Sequence, residues 1–387
     1  MRIIIVVLIF LSTLIPESFC KVKLVIDVIR HGARSGLMES EYFKDLKWDS
    51  LGELTPIGER QHCLLGMLRR EEYIGSNKLL SETYDPSLIY VRSTPSNRTL
   101  MSAQAYLTCM YPTGLKTLNK QQMTHKYDLL KPPIKYAIDN KIIDDLQENA
   151  TPHSMPSIPI QTVNYSTEGL LLYNDCPYVI QEINNYFSSD GYKDLTKNSE
   201  VWVKFRQMHP EIDESYYLED RNGYLLADLF ICADTENRAP KSLSKSDIEG
   251  FKEYFAKVQK EFLKKEPINK IMMHDFVKEV IRYMNDAKND DKKPKYILYS
   301  AHDITIGMIL IGLNKIEEKI DYARPIPFAS NLLFELNENN GKFSVIIKLN
   351  GKEIYNKEYE DFTKQFKEVG NIGKDKKEAC KVKNTLK

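Results

Sequence analysis

This sequence of 387 residues has no excess of charge of either sign. Its 54 lysine and arginine residues balance 54 aspartate and glutamate residues, so the formal net charge at pH 7 is zero with histidine neutral. Proteins that bind nucleic acid over a wide surface need a large basic field to neutralise phosphates. The balance therefore argues against nucleic acid as a partner, and any site for an anion must be local.

Long apolar runs are missing after the first twenty residues. Residues 1–20 carry an early arginine, an apolar stretch over 3–15 and small residues before Lys21, which is the pattern of a secretory signal peptide cleaved near Cys20. The rival interpretation is a membrane anchor, but the stretch is short for a bilayer span. We therefore expect a mature chain that enters the secretory pathway and carries no membrane anchor.

Cysteine is scarce and shows no zinc-binding pattern. Cys20 belongs to the predicted signal peptide, and the five others are Cys63, Cys109, Cys176, Cys232 and Cys380. None forms a CxxC or CxxH cluster, which makes structural zinc a poor interpretation. An odd number of cysteines in an oxidising compartment leaves at least one unpaired or paired between chains, and spacing alone assigns no disulfide.

Three apolar segments predict a sheet that is covered on both faces. Residues 22–29, 88–93 and 296–300 are strand-like runs, and helical patterns follow the second and the third. This alternation indicates an α/β fold with a doubly wound sheet and helices on both faces. Asn-Gly pairs at 340–341 and 350–351 predict hairpins, which add antiparallel strands late in the chain.

Segment 54–73 predicts a surface helix that packs on the sheet. Thr55 is a suitable N-cap and Pro56 suits the first helical position. The buried face is predicted to hold three apolar residues, Leu64, Met67 and Leu68. His62 is assigned no chemistry, because a single histidine on such a helix is expected to be solvated or hydrogen-bonded.

The spacing of apolar residues becomes helical beyond Cys176, without a strand signal for about a hundred residues. The chain is accordingly divided into a signal peptide over 1–20, a first α/β core segment over 21–175, a mainly helical cap insertion over 176–285 and a second core segment over 286–387.

Residues 158–163 also predict a strand, and Pro159 places it at the edge of the sheet.

Each of the three apolar strands is followed by residue types that carry chemistry. They are Arg30 and His31 after the first, Arg92 and Arg98 after the second, and His302 and Asp303 after the third. Open α/β sheets bind ligands at the carboxyl ends of their strands. We therefore expect these side chains to converge on one site.

Arginines at that site would select an anion. Thr94 can cap the helix after the second strand and Pro95 can open it, which places Arg98 in the first turn, where backbone N–H groups attract anions. Together with Arg30 and Arg34 it predicts a cationic bowl for an oxyanion such as phosphate. The alternative is that each arginine pairs with an acidic side chain on a solvated surface.

Four segments together resemble the histidine acid phosphatase family, and most closely its animal prostatic and lysosomal type. They are RHGARSG at 30–36, LTPIGERQH at 54–62, RSTPSNRTLMSA at 92–103 and YSAHD at 299–303. The family signature is R-H-G-x-R-x-P with a distant H-D, and further likeness near LLLYNDCP extends the resemblance over most of the mature chain. It implies a phosphoglycerate-mutase-like sandwich with a helical cap, and acid phosphatase activity.

The resemblance implies a role for each site residue. His31 is the nucleophile that forms a phosphohistidine, and Asp303 is the general acid and then the base. Phosphate binding is assigned to Arg30, Arg34, Arg98 and His302. The arginines would lower the pKa of His31, and acidic pH should favour turnover because Asp303 must begin protonated. The implied partner is a small phosphate monoester, with no cofactor and no metal.

Three alternatives stay open. The first takes His31, His302 and Asp303 as ligands of a divalent metal, although three arginines would repel it. The second is a weakened or inactive secreted glycoprotein that binds phosphorylated ligands, since Gly36 stands where the family has proline and should loosen the loop. The third is a mutase-like transferase, against which the signal peptide and the H-D pair count.

The resemblance also implies covalent features and a location. Relatives place a disulfide at the positions of Cys176 and Cys380, and Asn331 occupies the position of the cysteine that would pair with Cys232. The pairing of three cysteines stays open: Cys63, Cys109 and Cys232. The sequons at Asn149 and Asn164 are glycan candidates, whereas Asn97 is expected to be unmodified because it adjoins Arg98. Secretion or the lysosomal lumen is implied, and a homodimer is compatible with it.

Overall fold

Six strands form one sheet in the computed structural model, which describes residues 21–112, 117–124, 130, 132, 139–155, 157–289, 294–320, 322 and 325–382. The strands are β1 Lys21–Arg30, β2 Ile89–Ser93, β3 Tyr296–Ala301, β4 Asn331–Asn339, β5 Lys342–Leu349 and β6 Lys352–Glu358. The predicted signal peptide over 1–20 lies outside the described residues.

The sheet has the order β2-β3-β1-β4-β5-β6. β1 and β2 both run parallel to β3, and β4, β5 and β6 add antiparallel strands. The predicted Asn-Gly turns are confirmed: Asn340 and Gly341 have φ of 51° and 77°, and Asn350 and Gly351 have φ of 50° and 81°. These left-handed pairs match the twist of a two-residue hairpin.

Helices cover both faces of the sheet and confirm the predicted α/β class. Those before the insertion are α1 Pro56–Arg70, α2 Asn97–Met110, α3 Lys120–Thr124 and α4 Asn140–Leu146. The insertion holds α5 Pro177–Phe187, α6 Asp190–Asn198, α7 Glu200–Met208, α8 Ser215–Leu218, α9 Asn222–Thr235, α10 Lys245–Leu263 and α11 Glu266–Asn289. The last are α12 Asp303–Asn314, α13 Tyr359–Val369 and α14 Lys376–Ala379.

The stretch 177–289 is fully described and contains helices without a strand. Its apolar side chains join those from one face of the sheet in the larger of two cores, while α1 and α2 cover the smaller core on the other face. The domain limits drawn from the sequence stay a prediction. In the described part of the chain, none of the helices has the length and apolar content that crossing a bilayer requires.

The buried face of α1 differs from the predicted one. Thr55 caps the helix and Pro56 begins it as expected, but the three apolar residues are half exposed: Leu64 at 59%, Met67 at 50% and Leu68 at 52%. The face turned inward carries Gly58, His62, Gly66 and Arg69. Glycine is required on this face because α1 lies very close to α2. A Cβ on Gly66 would be 2.1 Å from the Tyr106 carbonyl oxygen.

His62 is buried, which excludes the solvated one of the two expected alternatives, solvated or hydrogen-bonded. Burial lowers its pKa to about 4 and keeps the imidazole neutral. The predicted strand over 158–163 is wrong, because only Gln161 pairs, in a single parallel bridge to Arg92. That bridge lies on β2, which is an edge of the sheet as Pro159 suggested.

Two disulfides cross the fold. Cys63 of α1 is bonded to Cys109 of α2, with Cα atoms 5.0 Å apart, which resolves the pairing that spacing left open. Cys176 is bonded to Cys380 across 204 residues, the pair named from the resemblance, and it ties the start of the helical insertion to the C-terminal segment. Cys232 is free and buried.

A buried polar cluster joins β1, β3, α1 and α2. Asp27 Oδ2 accepts from Arg69 Nε at 3.2 Å, from the Tyr106 hydroxyl at 3.1 Å and from the Tyr296 hydroxyl at 2.9 Å. All four side chains are buried. A charge removed from such a cluster leaves its partner unpaired in a medium of low dielectric constant.

We expect Arg69→Met to lower the free energy of unfolding by about 3–5 kcal/mol, because it leaves the Asp27 carboxylate uncompensated. Urea denaturation followed by circular dichroism measures the loss. The matched control is Arg282→Met, whose half-exposed ion pair with Glu279 is expected to cost no more than about 1 kcal/mol. Equal losses in the two variants would contradict a stabilising role for the cluster.

Candidate active site

The carboxyl ends of three parallel strands bring the predicted site residues to one edge of the sheet. Arg30 at the end of β1 is level with Ala301 of β3, and Ser93 of β2 is level with Ser300. The ladder continues one residue further, because His31 N–H donates to the Ala301 carbonyl at 2.9 Å and Thr94 N–H donates to the Ser300 carbonyl at 3.1 Å. The residues that follow each strand therefore start from adjacent positions.

His31 is buried at the centre of this edge. Its Nδ1 lies 2.9 Å from the Gly32 carbonyl oxygen, which can only accept, so Nδ1 carries the proton and Nε2 keeps its lone pair. Burial holds the pKa of His31 well below its ordinary value of 6.5, and the charges of Arg34, Arg30 and Arg98 lower it further. The imidazole is thus neutral under acidic conditions, as a nucleophile requires.

The loop over 31–36 is fixed against α1 and α2. A Cβ on Gly32 would be 2.5 Å from the Gly58 carbonyl oxygen, so glycine is needed where the loop meets α1. Gly32 N–H donates to Ser102 Oγ at 3.1 Å, and that hydroxyl donates to the Arg98 carbonyl at 2.6 Å. These contacts hold the loop that carries His31 and the first turn of α2 in one arrangement.

Arg34 is held by a carboxylate that the sequence did not reveal. Its Nη1 and Nη2 donate to the two oxygens of Asp228 at 2.9 and 2.8 Å, and both side chains are buried. Burial alone would lower the pKa of Arg34, but the charge of Asp228 outweighs it and the pKa is raised. Asp228 belongs to α9 in the helical insertion, so the insertion contributes directly to the site.

Arg30 and Arg98 complete the cationic bowl. Arg30 pairs with Asp303 at 3.0 Å, donates to the Ile326 carbonyl and stacks 4.2 Å over the ring of Phe328. Arg98 is the second residue of α2, which begins after Ser96 and not after Thr94 as predicted. The pKa of Arg98 falls to about 10, because burial and the charge of Arg34 outweigh the nearby carboxylates, and it stays cationic.

The three arginines share an unused donor. Among the described residues, none accepts a hydrogen bond from their buried Nε atoms, in Arg30, Arg34 and Arg98. Buried N–H donors are rarely left without an acceptor, since the lost hydrogen bond costs free energy. An oxyanion between the guanidinium groups supplies oxygens of the right charge and number.

Arg92 does not join the bowl. Its Nη2 donates to both oxygens of Glu168, at 3.1 and 3.0 Å, and Glu168 is buried. The plain alternative of an ion pair thus applies to Arg92. It applies in part to Arg30 and Arg34, whose carboxylate partners lie inside the site and not on a solvated surface.

His302 has both ring nitrogens engaged. Thr99 Oγ1 donates to the Ser96 carbonyl at 2.8 Å, so it accepts from the Thr94 hydroxyl, which in turn accepts from His302 Nε2 at 2.9 Å. The proton is therefore on Nε2, and Nδ1 faces Arg98 Nη2 at 3.5 Å. Burial and the charge of Arg98 lower the pKa of His302 to about 3. The structure makes it a neutral acceptor beside Arg98, and its contact with phosphate stays a prediction.

Asp303 is the first residue of α12. Its Oδ1 accepts from Ile304 N–H at 2.7 Å, and its Oδ2 contacts Arg30. Burial alone would raise the pKa of Asp303, but the charges of Arg30 and Arg34 outweigh it, so the pKa is lowered. The protein's own charges thus keep this carboxyl ionised in acid, which differs from the expectation that acidic pH by itself protonates it.

Gly36, which departs from the family signature, lies buried against the insertion. A Cβ there would be 2.7 Å from Leu229 Cδ1, so the leucine occupies the space that a larger residue would need. Gly36 accepts from Gly52 N–H at 3.0 Å, and Ser35 N–H donates to the Glu53 carbonyl at 2.9 Å. These backbone contacts tie the loop, while the predicted loosening stays a prediction.

A cavity of about 480 Å³ opens beside the site. Arg30, Asp228 and Asp303 are among the residues that line it. Phe328, whose ring centroid is 5.8 Å from that of His31, and Phe255 contribute aromatic wall. Lys252 and Glu249 also line the cavity and form an ion pair at 2.8 Å. Asp228 and Phe328 lie about 200 and 300 residues from the signature, with no local pattern to mark them.

The other predicted positions are peripheral. Asn97 is exposed, and its Nδ2 donates to Glu53 Oε1 at 3.0 Å. Asn164 is exposed in a short turn and Asn149 is half-buried; glycans at these sites stay predictions. Within the described residues there is no group of three or more His, Cys, Asp or Glu side chains positioned to hold a metal ion.

Comparisons with known proteins agree with this geometry. A family model described as histidine phosphatase superfamily (branch 2) matches residues 21–350. The chain is 26% identical over 354 residues to the lysosomal acid phosphatase of Xenopus laevis, covering 88% of this chain and 72% of that protein. It is 27% identical over 350 residues to the prostatic acid phosphatase of Homo sapiens, covering 84% and 76%.

Two solved structures share the fold. The phytase of Citrobacter braakii superposes with a TM-score of 0.62 at 13% identity, covering 94% of this chain and 100% of the phytase. The Hafnia alvei phytase in complex with myo-inositol hexakis sulphate superposes with a TM-score of 0.60 at 14% identity, covering 95% and 100%. At this identity the likeness concerns the fold alone.

Proposed function

We propose that this chain, which belongs to branch 2 of the histidine phosphatase superfamily, is an acid phosphatase that hydrolyses phosphate monoesters through a phosphohistidine. Family membership and the acid phosphatase relatives support phosphatase function. The observation that carries the mechanism is the neutral His31, with Nε2 unprotonated among three guanidinium groups.

In the first step, Arg30, Arg34 and Arg98 bind the phosphoryl oxygens and offset their charge. Nε2 of His31 attacks phosphorus in line with the ester oxygen, so a P–N bond forms while the P–O ester bond breaks. The electron pair of that bond goes to the leaving oxygen, which takes a proton from Asp303. The alcohol then departs, and the enzyme carries a phosphoryl group on His31.

In the second step, water replaces the alcohol. Asp303, now a carboxylate, accepts a proton as the water oxygen attacks phosphorus. The P–N bond breaks and its electron pair returns to Nε2. Inorganic phosphate leaves, and His31 and Asp303 are back in their starting states.

The proposed compartment is the extracellular space or the lysosomal lumen. Three observations support it: the signal-like sequence over 1–20, the relatives named as lysosomal and prostatic enzymes, and the two disulfides, which persist in oxidising compartments. Cleavage near Cys20 and the homodimer are part of the proposal.

The proposal is tested by trapping the phosphoenzyme. The protein is mixed with a ³²P-labelled aryl phosphate at about pH 5, denatured in alkali and digested, and the label is expected on the peptide that contains His31. Phosphohistidine survives alkali and is lost in acid, which separates it from a phosphoserine. Phosphate release without trapped label, or release that EDTA abolishes and zinc restores, would overturn the mechanism. Failure to release phosphate would overturn the activity itself.

A further inference from the structure

The buried charges of the site do not cancel. Arg30 is matched by Asp303 and Arg34 by Asp228, while both histidines are neutral because their pKa values are lowered. Arg98 is the third cation. Three guanidinium cations against two carboxylates leave one positive charge in a site where Arg30, Arg34 and Asp228 are buried and Arg98 and Asp303 are partly buried.

A phosphate monoester carries two negative charges once both protons are lost, and one below its second pKa near 6. A dianion would leave this site with one net negative charge, which a buried environment penalises strongly. A monoanion leaves the site neutral. A dianion does so only if the complex takes up one proton as it binds. The charge count therefore favours a ligand that is bound together with a single proton.

We propose that Asp228 sets this proton requirement, so that the substrate of the site is a singly protonated phosphate monoester. The proposal rests on the proposed function and deepens it. Asp228 acts as a positioning residue through Arg34: its two oxygens accept from both terminal nitrogens, while Nε–H has no acceptor among the described residues and is available to a phosphoryl oxygen. Its negative charge offsets one of the three positive charges of the site.

The proton taken up with the substrate can protonate the leaving group. It is shared between the phosphoryl oxygens and the Asp303 carboxylate, whose pKa rises once a bound anion offsets Arg30 and Arg34. From Asp303 the same proton passes to the leaving oxygen, so it is conserved through the first step. Acidic conditions supply this proton, which explains why such a site works in acid although its empty carboxyl is ionised.

The groups that face Asp228 cannot replace its charge. Arg34 and the Leu37 N–H, at 3.3 Å, face it from the loop after β1, and the charge of Arg98 reaches it from α2. On α9 itself, Cys232 Sγ lies 3.8 Å away and Tyr224 is near. Burial raises the pKa of both the thiol and the phenol, so neither supplies an anion.

The test measures protons bound with sulfate, which is dianionic between about pH 4 and 8. Calorimetric titration in buffers of different ionisation enthalpy gives the number of protons taken up per sulfate bound, and it requires no turnover. We expect about one proton per sulfate for the natural protein near pH 6 and close to none for Asp228→Asn, which keeps the shape and removes the charge. Sulfate affinity near pH 7 should rise about tenfold or more in that variant.

Two control variants separate charge from structure. Asp228→Glu keeps the charge and should keep the uptake of one proton, even if binding weakens. Asp247→Asn removes a buried carboxylate that pairs with Lys204 and does not line the cavity beside the site, and its number of protons per sulfate should match that of the natural protein. If Asp228→Asn does not fold, the natural protein still decides whether one proton accompanies the bound anion, and Asp228→Glu decides whether a carboxylate at this position keeps that uptake.

Sulfate binding by the natural protein without proton uptake would overturn the proposal, and so would an unchanged uptake in Asp228→Asn. These outcomes differ from a failure of the proposed function, in which sulfate binds as expected but no phosphate ester is hydrolysed. A protein that binds no sulfate at all would overturn the charge count on which this proposal rests, while phosphate release decides the proposed function separately.

Discussion

His31→Ala is expected to abolish hydrolysis of phosphate esters, with kcat lower by about 10⁴-fold or more. Alanine removes the Nε2 lone pair that forms the P–N bond, and the described site offers no second neutral nitrogen in its place, since His302 has both ring nitrogens engaged. Phosphate release from an aryl phosphate at about pH 5 measures the loss.

Two controls accompany this variant. His274→Ala removes a histidine whose Nδ1 is bound to the Gly370 carbonyl at 2.8 Å between α11 and the segment after α13, and it should keep full activity. Sulfate binding by His31→Ala should persist, because the three arginines stay in place. Activity within tenfold of the natural protein would rule out His31 as the nucleophile.

Asp303→Asn is expected to lower kcat/KM by about 10²- to 10⁴-fold for an alkyl phosphate, because an alkoxide cannot leave without a proton. The loss for 4-nitrophenyl phosphate should be much smaller, since the nitrophenolate is stable unprotonated. Parallel assays of the two esters measure the difference. Equal losses for both would mean that Asp303 acts only by holding Arg30 in place.

The same variant tests the direction in which turnover of the alkyl phosphate changes with pH. Arg30 and Arg34 lower the pKa of Asp303 in the protein alone, and a bound phosphate dianion offsets them and raises it. Turnover of the alkyl phosphate by the natural protein should therefore fall as pH rises through the pKa of Asp303 in the complex. That fall should vanish in Asp303→Asn, which has no carboxyl group to lose a proton.

Local patterns identified much of the site. Strands that end on Arg30, Ser93 and Ala301 were recognisable as apolar runs, and parallel pairing then forces their following residues together. The turns at Asn340 and Asn350 followed from the left-handed backbone that such pairs adopt. In each case a few neighbouring residues determine the geometry.

The errors have a different origin. The inner face of α1 was assigned to leucine and methionine, yet Gly58 and Gly66 lie inward, because close approach to the 31–36 loop and to α2 outweighs apolar burial. Asp228 reaches Arg34 across 194 residues from a helix whose own spacing marks only a buried face. Contacts of this kind depend on how the insertion packs against the sheet, and no pattern in the neighbouring sequence marks them.

The position of β1 in the sheet also governs when the site can form during synthesis. Its two neighbours are β3, which begins at Tyr296, and β4, which begins at Asn331. A nascent chain therefore leaves the backbone N–H and C=O groups along both edges of β1 without their strand partners until most of the protein has left the ribosome, and these late, non-local pairings slow folding. A truncated chain that ends before β3 lacks His302 and Asp303 and the strand that joins β1 to β2, so the complete site forms only when translation is nearly complete.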